Sequence, residues 1–179
     1  MLNADGTHWS TDPDLFAGLP GGQAVIDWFG FVPTFHDAEL DRLEITSGAA
    51  SLALRAFRMT DAADENGFFV LDRHALVTLH LSNVTGAHLC GNATSILAEL
   101  GIRRVGVAPA GFSTCGGPTT EDIEVSFDTS YGLEGSIYAR EVSFSVEPVR
   151  KGVEAAGQPI GNPPHATTKK LIPSQWRPS

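Results

Sequence analysis

The residues with the greatest chemical potential stand together in one short run, Phe35-His36-Asp37-Ala38-Glu39, followed by Asp41 and Glu44. An imidazole and several carboxylates this close can supply ligands to a metal ion. On a helix His36 and Glu39 would share a face; on a strand Asp37 and Glu39 would. No second helix carries a matching Glu-x-x-His, so a four-helix di-metal centre is unsupported. Further ligands would have to come from His74, His80 or His88. The alternative role is structural. His36 and Asp37 then fasten a helix-to-strand corner through hydrogen bonds to the backbone. The structural role is the expectation here, with no metal and no cofactor. His36, Asp37 and Glu39 are kept as the fallback metal ligands. On the structural role His36→Ala costs about 1–3 kcal/mol and leaves metal content unchanged.

Other runs carry less. Gly111-Phe112-Ser113-Thr114-Cys115 begins like a nucleophile elbow, but Cys115 stands where the second glycine is needed, and Gly116, Gly117 and Pro118 replace the helix. Cys115 reads as a small buried hydrophobe. Residues 61–67 are rich in carboxylates, yet Ala63 lacks the oxygen a calcium loop needs at its third position. No glycine-rich phosphate loop follows a strand.

The elements that must position these residues are mostly strands. Apolar residues 25, 26, 28 and 29 recur at helical spacing, which predicts a helix over residues 23–29 ended by Pro33. Leu43 and Ile45 flank Glu44, and Leu52, Leu54 and Ala56 alternate with Ala53, Arg55 and Phe57. Asn66-Gly67 predicts a hairpin turn into a strand over residues 68–81. Ser82-Asn83 predicts another turn, leading to a short strand around residues 87–89. Ile96, Leu97 and Leu100 form an apolar stripe ahead of Gly101, which predicts a second helix over residues 92–100. Ile123, Val125 and Phe127 alternate with Glu124, Ser126 and Asp128. Tyr131-Gly132 predicts a turn, and strands over residues 137–139 and 142–146 complete the sheet. The expected class is α+β, largely antiparallel sheet with about two packed helices and extended termini.

The chain has 179 residues, 42% of them apolar and 18% charged, with ten Phe, two Tyr and three Trp. That composition can form a core. The expected division is an N-terminal arm over residues 1–20, one α+β domain over 21–150 and a proline-rich basic tail over 151–179. The tail holds four bases and one acid; residues 1–150 hold 8 bases and 20 acids, a sum of −12. A body so acidic argues against nucleic acid as partner, because phosphates need a basic face. No apolar run reaches the roughly 18 residues of a membrane span, and the first residues lack the pattern of a secretory signal. Two cysteines, Cys90 and Cys115, build no disulfide framework. The reading is a cytoplasmic chain with no membrane partner.

The run Trp28-Phe29-Gly30-Phe31-Val32-Pro33-Thr34-Phe35-His36-Asp37-Ala38-Glu39-Leu40 resembles the opening segment of the immunity protein 50 family, bacterial proteins that sit beside polymorphic toxins. The likeness is an aromatic-Gly pair, a proline and Phe-His-Asp-Ala-Glu, matched at Phe29, Gly30, Pro33, Phe35, His36, Asp37, Ala38 and Glu39. A softer likeness follows the order of elements through roughly residue 148. The resemblance implies a non-enzymatic inhibitor that silences a cognate toxin by direct binding, with no catalytic residues. Trp28, Phe29, Gly30, Pro33, Phe35, His36, Asp37 and Glu39 are then chiefly a structural corner. A basic toxin domain would be drawn to a body of this charge.

Overall fold

The computed structural model describes residues 10–112 and 116–149, without the side chains of residues 93–95 and 131. The basic tail, the first nine residues and Cys115 lie outside the described residues. The described chain is mostly antiparallel sheet with two short helices. The helices are α1 (Pro13–Gly18) and α2 (Gly22–Phe29); the strands are β1 (Glu39–Thr46), β2 (Ala49–Ala63), β3 (Phe69–Arg104) and β4 (Ile123–Pro148). They form one meander in sequence order.

The α1 helix falls where an arm was expected. Asp12 caps it, its Oδ1 accepting from the amides of Asp14 and Leu15, each at 3.0 Å, and Pro13 follows. Phe16 is fully buried and its ring lies 4.6 Å from that of Phe144. So residues 10–20 pack on the core rather than standing apart from it. The α2 helix ends at Gly30, whose φ of 87° is the left-handed cap a glycine adopts freely.

Asn66-Gly67 reverses the chain between β2 and β3, with Asp64 Oδ1 accepting from the amides of Asn66 and Phe68. The second expected helix is absent: residues 92–100 belong to β3. Its apolar stripe has another cause. The β3–β4 register shifts between Ile96 and Leu97 and again between Leu97 and Glu99. These bulges send both Leu97 and Leu100 into the core, a spacing of three that imitates a helix. The Ser82-Asn83 turn is also missing, although Asn83 has a φ of 54°; β3 continues through it. Nor does Tyr131-Gly132 turn the chain, because β4 runs across it.

Instead the long β3–β4 ribbon bends. Gly91, Gly132 and Gly135 lie in the bend with φ of 109°, 119° and 153°. A side chain at Gly91 would stand 1.9 Å from the carbonyl oxygen of Gly132. The bend carries the second half of β3 round to the start of β1, where Glu39 pairs with Ile96. The sheet thus coils until its first strand meets its third. The apolar core fills the coil, with Leu52, Leu54, Val77 and Leu79 from the middle strands and Val125, Phe127 and Ile137 from β4. Its burial is the main stabilising term.

Candidate functional site

The Phe-His-Asp-Ala-Glu run lies at the seam where the sheet closes. Asp37 donates its amide hydrogen to Leu97 O at 2.9 Å, Leu97 donates to Ala38 O at 2.9 Å, and Leu100 donates to Thr34 O at 2.9 Å. The segment therefore covers the edge of the second half of β3, an edge that would otherwise present unpaired backbone groups. Two of its residues adopt positive φ, Phe35 at 57° and Asp37 at 61°. Side chains hold that local strain in place. Phe35 and Phe29 are both buried and meet edge to face at 6.5 Å. Pro33 is buried and Trp28 half-buried. Trp28 Nε1 donates to Arg73 O at 2.8 Å, and the Arg73 guanidinium donates to the carbonyls of Asp27 and Trp28 at the end of α2.

His36, Asp37 and Glu39 stay outside this core. The His36 side chain is 62% exposed and Asp37 is 43% exposed. His36 Nδ1 lies 2.7 Å from Ala98 O; a carbonyl only accepts, so Nδ1 carries the hydrogen. Nε2 then faces Asp37 Oδ2 at 3.6 Å. Glu39 points to no shared centre with them. Asp41 receives the Arg55 Nε hydrogen at 2.6 Å, and Glu44 lies 3.8 Å from the Arg42 guanidinium. Of the histidines that could have completed a site, the His74 ring packs 5.9 Å from that of Phe57, and His80 reaches Ser145 Oγ at 3.2 Å. Among the described residues no three His, Cys, Asp or Glu side chains converge as a metal site.

Beside the run is an apolar groove of about 130 Å³, lined by Phe31, Pro33, Thr34, Phe35 and His36 and by Ala56, Phe57 and Met59 of β2. It has room for one apolar side chain. Met59, one of the lining residues, stands near the end of β2, and beyond it every residue from 61 to 69 is exposed.

A second cluster was not visible in the sequence. Glu124 is 6% exposed and its carboxylate accepts from Arg103 Nε at 2.8 Å, Ser136 Oγ at 2.9 Å and Tyr138 Oη at 3.1 Å. Burial, then the charge of Glu124, pushes the Tyr138 hydroxyl up to about 12. Next to it Asp122, fully buried, accepts from Thr85 Oγ1 at 2.9 Å and from the Thr119 amide at 2.8 Å. Its other oxygen has no hydrogen-bond partner and faces Arg140 Nε at 3.7 Å. Phe112 packs on the Tyr138 ring at 5.4 Å and closes the cluster from outside. Every carboxylate here has a cation or hydroxyl against it, so the cluster reads as a polar core that ties the bent ribbon together.

No helix among the described residues is long and apolar enough to cross a membrane. Comparison with protein-family models, with curated proteins and with solved structures finds no match to this chain.

Proposed function

We propose that this protein is a non-enzymatic binding protein, an immunity protein that neutralises a cognate toxin by direct contact. The observation that carries the reading is the use of the motif. Phe29 and Phe35 are spent on the core, Pro33 is buried, and the backbone from Thr34 to Ala38 is spent on closing the sheet. The part of the chain that resembles the immunity protein 50 family is thus architectural, as a scaffold for recognition requires. The net charge of −9 suits a basic toxin domain, whose approach it would speed.

A second reading has one specific observation in its favour. With Nδ1 held by Ala98, His36 turns its other nitrogen toward Asp37, the arrangement in which an imidazole offers a lone pair to a metal. A metal-binding or metal-dependent role would then use His36 and Asp37, and Glu39 would have to move to join them as the third ligand.

One experiment separates the two. The tagged protein is purified gently from its native host, and the eluate is assayed for both bound protein and bound metal. The expected result is a stoichiometric basic toxin domain and no metal. Stoichiometric zinc or iron without a partner would overturn the immunity reading and direct attention to His36, Asp37 and Glu39.

A further inference from the structure

The tip of the β2–β3 hairpin has features the fold does not need. Phe68 is 71% exposed and Phe69 61%, although neither touches the core. Large apolar side chains held in water in this way mark contact surfaces. The patch does not end there. Phe69 pairs with Ala63 and Leu71 pairs with Met59, so Phe69, Leu71 and Met59 share one face of the hairpin. Met59, 46% exposed, also lines the apolar groove with Phe31, which is 49% exposed. An apolar stripe therefore runs from the groove to the hairpin tip.

Charge surrounds the stripe. Residues 61–69 contain Asp61, Asp64 and Glu65 and no base. Among the described residues none of the three has an ion-pair partner, and the nearest arginine along β2, Arg58, is already bound to Asp72 at 2.6 Å. The tip is also preformed. Asp64 accepts two backbone hydrogens across the turn and its own amide donates to Phe68 O at 2.8 Å. A surface ordered before contact loses little entropy on binding.

We propose that the hairpin tip, residues 61–69, with Met59 and Phe31 behind it, is the docking surface of this protein, and that it receives a basic protein face containing an apolar recess. The inference rests on the binding-protein reading and names the face that reading lacks. Phe68 and Phe69 are the anchors, and the three acids form the rim that orients the partner. The same acids argue against the other occupants. A second copy would bring three like charges against three. Nucleic acids and anionic bilayers would be repelled as well.

The test is site-specific photo-crosslinking of the full chain in its host. The reporter is Phe68→p-benzoylphenylalanine; Val107→p-benzoylphenylalanine, 85% exposed and just past the other end of β3, is the control. Circular dichroism confirms that both fold. The expected result is an adduct from position 68 to one protein of basic isoelectric point, absent from position 107. Its yield should fall roughly tenfold with Phe69→Ala. It should fall several-fold with Asp61→Asn combined with Glu65→Gln, and likewise when the crosslink is made in host lysate brought to about 0.5 M salt. Asp64 is left intact because it holds the turn. Adducts to a second copy, or to residues 150–179 of the same chain, would overturn the proposal, as would an adduct indifferent to salt and to the charge variants. A basic partner captured only from position 107 would overturn the face and leave the binding reading standing. Folded protein with no intermolecular adduct from either position would overturn both.

Discussion

Ser136 donates its hydroxyl hydrogen to Glu124 Oε1 across 2.9 Å, although the two residues belong to one strand and are 12 positions apart. An extended strand would separate them by roughly 40 Å. The contact exists because β4 bends with its ribbon around Gly132 and Gly135, and it locks that bend with a buried carboxylate. Glu124→Ala would leave the Ser136 and Tyr138 hydroxyls without their acceptor and take the carboxylate away from Arg103. The expected loss is about 3 kcal/mol in urea unfolding. Glu124→Gln keeps one acceptor oxygen and should lose less. Equal stability of Glu124→Ala and the parent would show that the cluster does not hold the bend.

The bend itself needs glycine. At Gly135 a Cβ would stand 2.1 Å from His88 O, and backbone cannot retreat as a side chain can. Gly135→Ala should therefore cost roughly 3 kcal/mol or more, or prevent folding. Gly48, in the β1–β2 turn with a φ of 78°, has open space around it. Gly48→Ala should meet only the left-handed backbone penalty, about 1 kcal/mol. Thermal unfolding of the two variants side by side checks the ranking.

Alkaline titration follows from Tyr138. Burial, then Glu124, raises its hydroxyl to about 12 in the folded chain, against an unfolded value of 10.0. Between those values the folded state keeps a proton that the unfolded state has lost. The contribution is whole below pH 10 and declines as pH rises toward 12, by about 2 kcal/mol in all. Tyr138→Phe removes it, so stability curves of variant and parent should converge over that interval. Parallel curves would mean that Tyr138 ionises like a free tyrosine.

The motif separates into core and surface. Phe35→Ala empties a buried site against Phe29 and should cost about 3–5 kcal/mol. His36→Ala removes one hydrogen bond from a side chain that is 62% exposed, and should cost under about 1 kcal/mol. That is below the 1–3 kcal/mol expected of a buried histidine, because water replaces the lost partner. A larger loss at His36 than at Phe35 would reverse the assignment of roles.

Much of this fold is legible in the order of residues. Strict alternation marked the start of β4, Asn66-Gly67 marked the β2–β3 reversal, and helical spacing followed by Pro33 marked α2. Each is a local signal, set by a period or by backbone preference. What the sequence could not show was the bend. In sequence Glu124, Ser136 and Tyr138 look like the solvent face of alternating strands, and residues 92–100 look like a helix. Only when one half of a strand lies against the other do those polar side chains become a buried network. Only the bulged register makes Leu97 and Leu100 inward neighbours. The same holds for Phe31, Met59 and Phe69, distant in sequence and joined into one stripe by pairing across the hairpin. Residue types and spacing determined the strands and their turns. The long-range closure of the sheet, whose contacts no local pattern encodes, decided which side chains met.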